Sequence, residues 1–145
     1  MAGPEAKPGT PPAGGASGPA AQARALSAAL QDFHRALIRA EIGGDPALDN
    51  NPYTMLFALV DHPSYAWMGA ISRLIARIDQ HVADGDAAQP GLVPALYAEA
   101  AALLAGTGSA AAEEFRMRHL MALQKEPDVG LATGRLRRVL AQFAP

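Results

Sequence analysis

The side chains best equipped for chemistry in this 145-residue chain are its four histidines and fourteen carboxylates; cysteine is absent. His119 is the most informative of them. It follows Phe115 by four positions and precedes Leu123 by four, so helical spacing sets an imidazole inside an apolar face. A buried imidazole needs a partner for its N–H, and the same ring can ligate a metal or haem. His34 borders the apolar stripe of an earlier helix, with Glu41 seven residues on along the same edge. His34, Glu41 and His119 together have the residue types of a carboxylate–histidine metal or cofactor site. However, the Glu-x-x-His pairs of di-iron bundles and the His-Glu-x-x-His run of zinc proteases do not occur. A satisfied core histidine is therefore the expectation, with no bound cofactor or metal. A metal- or cofactor-binding bundle built on these three residues is the alternative.

Two further groups carry residue types that could do chemistry. Asp61-His62-Pro63-Ser64 contains the residue types of a hydrolase triad. Adjacent side chains diverge, no Gly-x-Ser-x-Gly elbow is present, and turns before proline select Asp and Ser for capping. The expected role of Pro63 is mechanical: it sets the angle at which Trp67 enters the core. Arg135, Arg137 and Arg138 form a small basic cluster near the end of the last helix, where cations suit the carbonyl terminus, and Glu126 and Asp128 complement its other end. An acidic partner is one reading and a solvated face the better one. No glycine-rich phosphate loop exists, so nucleotide binding has no support.

Composition narrows the classes further. The net charge is −2 and the pI about 6.0, without the clustered Lys and Arg of a phosphate-binding face, so no nucleic-acid partner is expected. No run approaches the ~18 apolar residues of a membrane span. The first residues, MAGPEAKPGT, lack an apolar signal region, so a cytoplasmic location is expected.

The elements that position these residues follow from periodicity. Residues 1–20 hold five prolines and five glycines with no large apolar side chain beyond Met1, which predicts a disordered tail in front of one helical domain over 21–145. Leu26, Leu30, Phe33 and Leu37 share a stripe on a first helix over 21–42, stopped by Gly43-Gly44-Asp45-Pro46. Asn51-Pro52 starts a short second helix ending before Pro63. Residues 50–84 contain four of the eight aromatics and the only tryptophan. Within them Met68, Ile71, Ile75, Ile78 and Val82 keep three-four spacing, with Trp67 and Leu74 widening the stripe. This predicts a third helix over 65–83, capped by Ser64 and closed by Gly85, with Trp67 and Ile71 buried. A fourth, alanine-rich helix spans 91–105, with Leu92, Leu96 and Leu103 as its larger contacts. A fifth spans 110–125 behind a capping Ser109, and a sixth opens at Asp128 after Pro127. No alternating run occurs, so the predicted fold is all-α, a single bundle of five or six helices.

The stretch Leu59-Val60-Asp61-His62-Pro63-Ser64-Tyr65-Ala66-Trp67, followed by Ile71-Ser72-Arg73-Leu74-Ile75-Ala76-Arg77-Ile78-Asp79, resembles an uncharacterised family of small bacterial helical proteins. The likeness extends more loosely from Glu114-Phe115 to Asp128-Val129. It implies an all-helical fold and transfers no activity, ligand or site residue. The functional expectation is a non-catalytic protein acting through an unidentified protein partner or through self-association.

Overall fold

The computed structural model of the protein describes residues 18–42 and 63–143. The protein is an all-α bundle: among the described residues there are five α-helices and no strand. They are α1 (Pro19–Ile42), α2 (Gly69–Asp84), α3 (Leu92–Ala105), α4 (Ala110–Lys125) and α5 (Pro127–Leu140). A 3-10 segment, Pro63–Met68, leads into α2, and a 3-10 turn, Ala141–Phe143, follows α5. The predicted second helix and residues 1–17 of the predicted tail lie outside the described residues, as do Asp61 and His62.

α1 is the central element, with its most extensive contacts to α5 and α2. Leu26, Leu30, Phe33 and Leu37 are essentially inaccessible to water, so its stripe faces the bundle axis. Each such side chain contributes about 1.5–3 kcal/mol of burial free energy. Polar ties fix the neighbours: Ser27 Oγ donates to Asp79 Oδ1 of α2 at 2.7 Å, and the Tyr97 hydroxyl of α3 donates to the Gln22 carbonyl at 2.7 Å. Arg77 of α2 pairs with Glu99 of α3, and Arg39 of α1 lies 3.7 Å from Asp128 of α5. Both ion pairs are about half exposed and contribute at most about 1 kcal/mol each.

Three expectations need correction. α1 begins at Pro19 rather than Ala21, because proline is tolerated in a first turn whose amides have no helical acceptor. The third helix is not capped by Ser64. The chain enters through the 3-10 segment from Pro63, and the cap position of α2 is Met68, without a side-chain cap bond. Tight 3-10 turns are common at such helix starts. In α3 the buried set is Val93, Leu96, Tyr97, Ala100 and Leu104, whereas Leu92 and Leu103 are only partly buried. Apolar residues run nearly all round this helix, so no single stripe stands out in its sequence.

Candidate functional site

α4 positions the buried histidine and has well-defined ends. Ser109 accepts a hydrogen bond from the Ala112 amide at 3.0 Å, and Glu113 stands in the first turn, where a carboxylate suits the helix dipole. The helix stops before Pro127. Its inward side presents Ala112, Phe115, His119 and Ala122, all buried.

His119 is 1% exposed. Its Nε2 lies 3.0 Å from Thr133 Oγ1, and the Thr133 hydroxyl donates its single proton to the Val129 carbonyl at 2.7 Å. The hydroxyl can therefore only accept from the ring. His119 is thus a neutral imidazole protonated on Nε2, and among the described residues its Nδ1 lone pair has no hydrogen-bond partner. The ring stands edge-on to Phe33 at 5.1 Å, with Phe115 at 6.3 Å on another side. Burial lowers the pKa of His119 to about 4, helped by the nearby positive charges of Arg137 and Arg116. This environment rejects a second proton.

The indole of Trp67 belongs to the same aromatic group, 5.1 Å from Phe115. Trp67 is 9% exposed and Ile71 is fully buried, and among the described residues Trp67 Nε1 has no hydrogen-bond partner. Among the described residues one donor and one acceptor around Phe115 thus lack a partner. Pro63 opens the 3-10 segment that delivers Trp67 to this core.

The metal-site candidates are not assembled into one centre. His34, on α1, has Nε2 3.4 Å from Ser72 Oγ of α2, and partial burial lowers its pKa. Glu41 lies near the end of α1, partly exposed. Among the described residues no group of three or more His, Asp or Glu side chains is placed to hold a metal ion, and His34, Glu41 and His119 do not form one. The triad candidates Asp61 and His62 lie outside the described residues, so that grouping has no geometry here. Arg135, Arg137 and Arg138 are all exposed on α5, but Arg135 and Arg137 lie on different sides of it, so the three do not form one face.

The feature that sequence reasoning missed is the other side of α4. Met117, Leu120 and Met121 are 63%, 43% and 49% exposed. With 3.6 residues per turn, they lie opposite Phe115, His119 and Ala122. Their i, i+3, i+4 spacing is present in the sequence, on the side of the helix away from Phe115 and His119. Glu114 and Lys125 flank this outer face on the same side, one near each end of the helix. Among the described residues no helix is long and apolar enough to cross a membrane. No family model, curated protein or solved structure matches the chain.

Proposed function

We propose that this is a non-catalytic helical protein that acts by self-association, using the outer face of α4. The observation that carries the reading is the exposure of Met117, Leu120 and Met121 together on one face that the fold leaves uncovered. Single exposed apolar residues need no explanation, but three at helical spacing make a seam of the kind that pairs helices. Methionine suits such a surface, because its flexible thioether repacks against varied neighbours.

Charge selects the occupant. In an antiparallel pair of α4 helices related by a two-fold axis, like flanks face each other. Glu114 of each copy, which also lies 3.8 Å from Arg118 of its own helix, then approaches Lys125 of the other, and the arrangement closes as a dimer. A helix of 16 residues is about 24 Å long, so the face buries less than the ~800 Å² per partner of a standard interface. The dimer is accordingly weak and concentration-dependent. Its setting, on this reading, is a bacterium, as the sequence resemblance implies.

Sedimentation velocity over a wide concentration series tests this. The sedimentation coefficient should rise with concentration for the native chain, and Met121→Glu should hold it at the monomer value. A native chain that stays monomeric at the highest concentration, or a Met121→Glu variant that associates equally well, would sink the proposal.

A further inference from the structure

A second surface feature, independent of the α4 outer face, lies where the ends of α3 and α5 meet α4. It is a cleft of about 600 Å³. This is within the ~300–1,000 Å³ range of small-molecule sites. Leu104 and Ala105 of α3 and Leu140 of α5 supply apolar wall, and the guanidinium groups of Arg116 and Arg137 supply the polar part.

The two arginines differ in how they are held. Arg116 Nη1 donates to the Leu104 carbonyl at 3.0 Å, so its head is fixed over the last turn of α3. Its stem runs past Gly106, whose φ is +73°. A Cβ on Gly106 would stand 2.8 Å from both Cβ and Cδ of Arg116, so the bare backbone there makes room for the arginine. Arg137 extends from the last turn of α5 and is solvent-exposed. Among the described residues neither guanidinium lies within ion-pair distance of a carboxylate. One hydrogen bond to Leu104 leaves four of the five N–H donors of Arg116 for another acceptor.

Charge decides the class of ligand. The carbonyl termini of α3 and α5 both border the cleft, and each carries about half a negative charge. Set against two guanidinium cations, they leave roughly one net positive charge. That balance suits one singly charged head group and disfavours a polyanion such as a phosphate ester. The apolar walls call for a hydrocarbon body. We infer that the cleft between α3, α4 and α5 binds an aliphatic monocarboxylate, its head group held by Arg116 and Arg137 and its chain lying against Leu104 and Leu140.

His119 supplies an independent reporter, because Arg116 and Arg137 help to hold its pKa down. A bound carboxylate between those arginines offsets their charge and moves the His119 pKa upward, toward 6.5.

The test uses the full chain, with decanoate as probe and decanol and inorganic phosphate as controls, read by calorimetry and by an NMR titration of the His119 ring. The expected result is saturable decanoate binding and an upward shift of the His119 titration that decanol does not produce. Arg137→Gln should weaken decanoate about tenfold, the loss of a charge-assisted hydrogen bond. Arg137 is exposed, so this variant keeps the fold, whereas Arg116→Gln would also uncap α3. Absence of decanoate binding, equal affinity for decanol, displacement by phosphate, or an Arg137→Gln affinity equal to the native value would each overturn the assignment.

Discussion

The two sides of α4 both carry apolar side chains and meet different fates. Phe115, His119 and Ala122 are enclosed by α1, α5 and the 3-10 segment, whereas Met117, Leu120 and Met121 face outward. The inner side is accounted for by folding, since its burial is what the bundle gains from the helix. The outer side is not. A helix polar on its outer face would satisfy the fold equally well, and the proposed self-association rests on these three exposed side chains. The comparison therefore separates residues whose removal should unfold the protein from residues whose removal should only isolate it.

The sharpest break comes from truncating the inner side. Phe115→Ala or Trp67→Ala should cost about 3–5 kcal/mol in urea denaturation, because each opens a cavity in the aromatic group. Met117→Ala on the outer side should change stability by no more than about 0.5 kcal/mol. Comparable losses at both faces would mean that the outer side is covered within the folded monomer.

The next effect is a pH dependence confined to the inner side. His119 has a folded pKa of about 4 against about 6.5 in the unfolded chain, so the unfolded state binds the proton more tightly. Stability is then undiminished above pH 6.5, falls as pH drops from 6.5 to about 4, and loses nothing more from this group below that. The fall corresponds to about 3 kcal/mol at most. His119→Leu should flatten this window of the stability profile, and an unchanged slope in the variant would assign the acid sensitivity to other groups. His34, whose pKa is also lowered by burial, contributes in the same direction, so the comparison is made in one background.

A smaller effect isolates the hydrogen bond. Thr133→Val keeps the shape but removes the acceptor that His119 Nε2–H has among the described residues, which should cost about 1–3 kcal/mol in the native background. In the His119→Leu background the same substitution should cost much less, and a double-mutant cycle reads the difference. Additive losses would show that the two side chains do not interact.

These residues also show what could be read from sequence. α4 was legible at both ends because Ser109 and Pro127 act locally, through a cap bond and a missing amide. The burial of His119 was legible from its spacing to Phe115. Its partner was not, since Thr133 lies fourteen residues away on α5 and meets the ring only through the packing of two helices. In α3 the rotation failed because alanine and leucine occur on every side, and the choice of Tyr97 was made by the Gln22 carbonyl of α1. Gly106 marks the end of α3 locally, but the pairing of Arg116 with that end depends on the α3–α4 angle, which leaves no local signature. The outer face of α4 was present in the spacing, but only burial distinguishes it from a second core stripe.

Because the chain contains no cysteine, single substitutions give an unambiguous cross-linking readout. In the antiparallel pairing, position 121 lies close to the two-fold axis, near enough to its own copy for the ~4.4–6.8 Å Cα separation of a disulfide. Leu131 on α5 is 63% exposed and serves as an equally accessible control. Mild oxidation of Met121→Cys should give covalent dimers at concentrations where Leu131→Cys remains monomeric. Equal cross-linking of the two variants, or none at position 121, would contradict self-association through α4.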